Sequence, residues 1–459
     1  MACHFVQLLR KSFCPNQTVF GSQFFSSVKS VPKSSLLISG ERASDTFIVV
    51  IPHLDFDERF RDLPLLEDNI KRRRLDLCVS EMKESWYFYK DWNEKRLQLQ
   101  ENLSKIGARI SEVIKYEDSE DKKLEMENLQ RHKDLLREDL QNVKKNVWSM
   151  EDTVIGDLLK LPNILHSLTP DNEEQLFIFD GENIEEKNNH LEVGVKLNIL
   201  EFRNNLTYFL KNRATLFELA VSELIVDHFV MKDFLRFSNP DFARSVLAEG
   251  VGIAPNDYTH LFLLANTEGN NDHLYLCGGA SLFPFCGFHA KHSVPKQSLP
   301  LKYISSGRQY IPDSGSLPGL YSVNQSTSVQ LFLATHGEDD IYRNFMCCVE
   351  HLQDVFSILG LNFRIVNQPP YLLKSWESSR VSVQVFSPFH NVYVEVGSVS
   401  LIGDFISKRL RMCYSDKKVE PFLSVVSGSI NIQTLLALCL ERSHNDLFVP
   451  SALSTYMMK

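Results

Sequence analysis

Chemistry in this chain has few places to reside. Arg308 sits in Gly307-Arg308-Gln309-Tyr310, where an apolar-rich stretch from Leu301 meets a Pro/Gly/Ser loop at Ile311–Gly319. A second apolar-rich stretch leaves that loop through Gly319-Leu320-Tyr321-Ser322-Val323-Asn324-Gln325 and runs on to Phe332. Two strand candidates around turn residues read as a β-hairpin. Further on, Glu395 and Ser398 lie in Arg380–Val396 and its continuation, a stretch that alternates as strands do. Metal chemistry is not expected: His289 and His292 near Cys286 have no Asp, Glu or second Cys beside them to complete a ligand set. The nine cysteines include no C-x-x-C pair and read as free thiols.

Cations cluster elsewhere. Lys71, Arg72, Arg73 and Arg74 are consecutive, and Lys95, Arg96, Lys105, Arg109, Lys122 and Lys123 follow. Such residues either contact nucleic-acid phosphates or form a solvated helix face laced with i,i+4 ion pairs; composition alone favours the second. A net charge of −9 excludes indiscriminate coating of nucleic acid but not a local basic patch. No apolar run reaches membrane-span length.

The elements that must carry these residues can be read in order. Residues 1–40 hold Arg10, Lys11, Lys29 and Lys33, many serines and no acid, the composition of a mitochondrial transit peptide and an address in the matrix. Residues 41–64 form a short segment with a strand candidate at Thr46–Pro52. Leu65 to Leu161 contains no proline. Trp92, Leu99, Leu103, Ile106, Ile110 and Val113 are spaced 7, 4, 3, 4 and 3 apart, and Leu129, Leu136, Leu140, Val143, Val147 and Met150 repeat those gaps. Two such seams joined by a polar break at Glu117–Asp121 predict an antiparallel coiled-coil arm over 65–162. Residues 163–199, polar and acidic at 171–193, read as a linker. Residues 200–459 are mixed: helices at Arg213–Phe229 and Asp339–Gly360, and a strand running into a helix over Ser424–Glu441.

This order resembles the class II aminoacyl-tRNA synthetases, most closely seryl-tRNA synthetase. The hairpin resembles motif 2 (Phe-Arg-x-Glu, then Arg-Gly-Leu-Phe-Arg-Val-His-Gln-Phe-x-Lys-Val-Glu). Arg213–Pro240 resembles motif 1, and Ser424–Glu441 resembles motif 3. Leu158-Leu159-Lys160-Leu161-Pro162-Asn163-Ile164-Leu165-His166 resembles the family's link from arm to catalytic domain. The resemblance implies an α+β fold, an antiparallel sheet flanked by helices behind a tRNA-embracing arm. It implies a two-fold interface on the motif 1 helix, here Leu216, Phe217, Leu224, Ile225 and Phe229. It also implies where catalysis should sit. The family's Thr-x-Glu, which holds the substrate ammonium, aligns with Gly279-Ala280-Ser281; the motif 2 arginine with Arg308 and its glutamate with Tyr310. The motif 2 closing glutamate aligns with Gln330, a serine-selecting asparagine with Leu401 and the motif 3 arginine with Gln433. Glu395 and Ser398 match the family's Glu and Ser, so Arg308, Glu395 and Ser398 are expected to be remnants of an ATP site. The glycines and apolar positions persist while the charges do not, the pattern of a retained scaffold without catalysis. The resemblance implies a mitochondrial, non-catalytic seryl-tRNA synthetase paralogue without a cofactor. It would bind tRNA or other mitochondrial RNA, pair with the active mitochondrial enzyme, and support translation and genome maintenance. A protein-only coiled-coil adaptor and a divergent active synthetase are the alternatives.

Overall fold

A computed structural model describes Ser34, Leu36, Val50 and residues 52–458, apart from 116–118, 182–186, 205–206, 255–256, 258, 265–272, 313–314, 316 and 417–420. Most of the leader and of Thr46–Pro52 lies outside the described residues. Two residues inside the expected leader are nevertheless held in the folded body. The Ser34 hydroxyl donates to Glu249 (2.6 Å), the Leu36 N–H donates to the same carboxylate (3.1 Å), and Leu36 is buried. A leader boundary at residue 40 therefore cuts through packed structure.

Helix α1 (Leu63–Arg72) starts where Asp62 accepts from the Leu65 N–H (3.1 Å) with Pro64 in the first turn. Two long helices follow, α2 (Val79–Val113) and α3 (Glu120–Met150). Ser119 caps α3, and Glu120 and Asp121 complement its dipole. The two helices pack antiparallel: Arg109 pairs with Glu125 at one end, and Trp92 and Leu99 face Val143 at the other. Every residue of the two expected seams is buried or half-buried.

The remainder is α+β. Eight strands, β1 (Glu174–Phe179), β2 (Leu235–Arg236), β3 (Leu301–Tyr310), β4 (Gln325–Thr335), β5 (Phe363–Asn367), β6 (Ser379–Ser387), β7 (Val392–Gly403) and β8 (Ser424–Asn431), form one sheet in the order β1-β5-β6-β7-β8-β4-β3-β2. All neighbours are antiparallel except β2 beside β3. Helices α4 (Arg213–Val230), α5 (Glu338–Leu359) and α6 (Ile432–Glu441) cover one face, where Phe217, Ile225, Phe356, Leu435 and the inward residues of the central strands form the larger core. A second core on the opposite side gathers Leu36, Trp86, Leu158, Phe285 and Phe332. Among the described residues no helix is long and apolar enough to cross a membrane.

The segment read as a linker is a correction: β1 lies within it and pairs with β5, and a short helix spans His190–Lys196. As an edge strand, β1 leaves Leu176 and Ile178 exposed and is held by backbone pairing, so its sequence shows no buried alternation.

Candidate functional site

A cleft of about 470 Å³ opens on the sheet face that the three helices do not cover. Strand alternation builds its floor: Gln330 of β4, Ser398 and Ser400 of β7, and Ser427 and Ser429 of β8. Ser398 lies opposite Ser429, and Ser400 opposite Ser427. The Gln330 amide donates to the Ser427 hydroxyl (2.7 Å). Ser281 enters from a loop that turns at Gly278, where φ is +88° and a Cβ would meet the Arg308 carbonyl.

The ionic groups of the cleft balance in number, Arg380 and Lys374 against Glu395 and Glu377. Arg380 is ion-paired with Glu395. Glu377 accepts from the Ser400 hydroxyl (2.6 Å) and the Lys374 N–H (2.7 Å). Burial lowers the Lys374 ammonium below its usual range, with Glu377 acting against that shift. Two cations beside two carboxylates, over a floor of hydroxyls and an amide, suit a neutral polar ligand. A polyphosphate would have to break the Arg380–Glu395 pair to use that cation.

The expected residues divide. Glu395 and Ser398 do line the cleft. Arg308 does not. In the hairpin register Arg308 faces Thr327, whereas Gln309, one residue on, points into the cleft. On the helix-covered face, Arg308 donates to Glu218 of α4 (2.9 Å) and to the Thr327 hydroxyl (2.7 Å). Gln433 joins the same cluster, donating to Glu218 (3.1 Å), and is fully buried. Leu401 packs in the larger core, and Ser400 is its cleft-facing neighbour. Because side chains alternate across a strand, a one-residue difference in alignment moves a residue to the other face. Lys374, Glu377 and Arg380 were not anticipated. Only Arg380, a lone cation in an alternating strand, carried a sequence signal.

The basic run also divides. Arg73 is buried and donates to the carbonyls of Asn163 (3.1 Å), Lys374 (3.1 Å) and Glu377, so it clamps chain segments together and cannot reach a phosphate. Arg72 pairs with Asp171 (2.7 Å) and donates to the Thr169 carbonyl. Arg74 lies over the Tyr371 ring at 3.8 Å, and Lys71 is exposed. On the long helices, Lys95 pairs with Asp91, Lys105 with Glu101, and Arg109 with Glu112 and Glu125; Arg96 bonds Asn93 and Gln100. Lys122 is half-buried and Lys123 exposed. Exposed pairs of this kind contribute about 0–1 kcal/mol each, little enough to exchange for a phosphate.

Of the five residues expected at a two-fold interface, Phe217, Leu224, Ile225 and Phe229 are buried in the chain's own core, and Leu216 alone is exposed. The bare apolar positions on and just beyond α4 are Leu216, Leu219, Val230, Met231 and Leu235. Helix α4 is apolar on most faces, so its pattern did not reveal which face turns inward.

No protein-family model matches the chain. It is 29% identical over 402 residues to the serine–tRNA synthetase-like protein Slimp of Drosophila melanogaster, covering 86% of each chain. It is 24% identical over 437 residues to the mitochondrial serine–tRNA ligase of Mus musculus, covering 89% of this chain and 83% of that one. Among solved structures, it superposes on Pyrococcus horikoshii seryl-tRNA synthetase complexed with ATP with a TM-score of 0.74 at 17% identity, covering 88% of this chain and 98% of that one. The cytoplasmic serine–tRNA ligase of Naegleria fowleri in complex with AMP gives 0.68 at 17% identity, covering 86% and 94%.

Proposed function

From a chain that is seryl-tRNA synthetase-like in sequence and in fold, we propose a non-catalytic partner of that enzyme. Ser281, which by the family resemblance aligns with the carboxylate that holds the substrate ammonium, lines the cleft as a serine, and this observation carries the reading. Two others support it: Arg308 is tied to Glu218 on the far face, and glutamine occupies position 433. Serine activation needs preorganised charge at phosphate and ammonium. Each charge-assisted hydrogen bond is worth about 1.5–3 kcal/mol. Three missing ones cost on the order of 4–9 kcal/mol, roughly a thousandfold to millionfold in rate.

The protein then acts in the mitochondrial matrix. Its helix pair α2–α3 serves as a coiled-coil arm for tRNA or other mitochondrial RNA, and its α4 face pairs with the active mitochondrial seryl-tRNA synthetase to support aminoacylation, translation and genome maintenance. The likeness to a Drosophila protein named synthetase-like and to a mitochondrial ligase favours this reading. The packing of Ser34 and Leu36 favours import processing upstream of Ser34; N-terminal sequencing of the mature chain reads the site, and a start beyond Leu36 refutes it.

Serine-dependent pyrophosphate exchange and seryl-tRNA formation test the central point. Neither rises above background on this reading. Sustained exchange would instead support a divergent active enzyme working through Glu395 and Ser398. The paired charges of the arm favour a protein-only adaptor as the second reading, and a filter-binding titration with mitochondrial RNA separates the two.

A further inference from the structure

Where α4 and α5 pack together over the sheet, three metal-competent side chains converge outside the cleft. His228 stands in the last turn of α4. His351 and Asp354, three residues apart, share one face of α5. One donor atom from each lies within 4.8 Å of the donors of the other two. His228 Nε2 and His351 Nδ1 are buried and have no hydrogen-bond partner. The other nitrogen of His351, Nε2, lies 3.3 Å from Cys347 Sγ.

We propose that His228, His351 and Asp354 bind a divalent transition-metal ion, zinc being the one that two imidazoles and a carboxylate fit best. His228 Nε2 and His351 Nδ1 offer their lone pairs, and solvent completes the set. With Nδ1 on the ion, His351 Nε2 keeps the proton and directs it at the Cys347 sulfur, which fixes the tautomer as outer-shell acceptors do. Tetrahedral zinc sets its ligand atoms about 3.4 Å apart, so the donors must draw in slightly, and the exposed Asp354 can swing to do so. Lys232 acts on both histidines and Lys302 on His351 against a bound cation, and Asp354 acts in its favour.

A second cluster, His190, His390 and Glu441, serves as the internal control. There the Glu441 carboxylate accepts from the Tyr321 and Ser387 hydroxyls, both at 2.6 Å. His190 Nε2 accepts from the Leu320 N–H, which leaves the hydrogen on Nδ1 and no lone pair facing the cluster. An ion at the α4–α5 site would pin the end of α4 to α5, next to exposed Met231 and Leu235.

The test uses the full chain, stripped with EDTA and titrated calorimetrically with Zn²⁺, and with Co²⁺ followed by its visible spectrum. One equivalent should bind, with the absorption of tetrahedral cobalt, and zinc should raise the melting temperature. His228→Gln and His351→Gln should weaken binding by about 100-fold and Cys347→Ala, which removes the outer-shell acceptor, by about tenfold, while His390→Gln leaves it unchanged. Wild-type protein that binds no ion overturns the proposal. So does binding that survives both histidine substitutions, or that is lost only in His390→Gln. If a histidine variant does not fold, Asp354→Asn at its exposed position decides: unchanged zinc affinity there rejects the site.

Discussion

Arg308 donates to the Glu218 carboxylate over 2.9 Å, and Thr327 and Gln433 donate to the same oxygen. Glu218 is nearly buried, so these donors are what make a carboxylate tolerable between helix and sheet. Arg308 is therefore a structural cation. Arg308→Ala should lower stability by about 1–2 kcal/mol, its Coulomb share being held down by exposure and by the two donors that remain. Nucleotide affinity, read by calorimetry, should not change. Loss of ATP binding at an unaltered melting temperature would return Arg308 to the cleft.

Arg73 and the arm make a contrasting pair. Arg73→Ala takes the Arg73 donor from the buried Glu377 carbonyl and one of two donors from the Asn163 and Lys374 carbonyls, which keep Asn69 and the Glu377 N–H, and should cost about 2–3 kcal/mol in urea unfolding. RNA affinity of the folded fraction should be unaffected. Charge reversal at Lys95, Lys105, Lys122 and Lys123 should do the opposite, leaving stability within about 1 kcal/mol and reducing the salt slope of RNA binding by about one per lost phosphate contact. An unchanged slope removes the helices from the RNA surface.

These cases also mark what the sequence could disclose. The seams from Trp92 to Val113 and from Leu129 to Met150 were legible because a two-helix contact repeats every three or four residues. The hairpin was legible because Pro318 and Gly319 break two apolar runs. The face occupied by Arg308 was not, since alternation converts one residue of register into the full thickness of the sheet. Arg73 looked like its neighbours because burial of a cation depends on distant carbonyls. The His228–His351–Asp354 cluster was hidden because α4 and α5, in contact in the fold, are separated in sequence by strands β2, β3 and β4.

His190 and His289 make the fold acid-sensitive. Burial lowers each imidazole to about 4, with His390 acting on the first and His292 on the second. Their folded values lie below the usual 6.5, so the unfolded chain binds more protons between the two. Stability is complete above about pH 6.5 and is lost as pH falls toward 4, at up to about 1.4 kcal/mol per pH unit for each group. His289 stacks on Phe332 (5.4 Å, 11°) with both ring nitrogens unpartnered. His289→Phe should keep the stacking, raise stability at pH 5 and flatten the profile by the share of one histidine. A profile unchanged in this variant would assign the acid sensitivity elsewhere.

The exposed stripe on and beyond α4 bears on the partner. Leu216 and Leu219 lie one turn apart and face outward, with Met231 and Leu235 beyond the helix end, while Arg236 with Glu223 and Asp227 forms a charged rim. An apolar centre with a polar rim is how interfaces are built, and a two-fold patch inherited from a common ancestor can still match the ancestral half. Co-expression with mitochondrial seryl-tRNA synthetase should give a mixed dimer by native mass spectrometry, in preference to either homodimer. Leu219→Glu with Leu235→Glu should abolish it without lowering the melting temperature of this chain, because both side chains are exposed. Phe217→Ala, by contrast, empties a fully buried site and should cost about 3–5 kcal/mol whether or not a partner is present. If only homodimers form, or if the double substitution leaves the mixed dimer intact, the partner binds another surface or none.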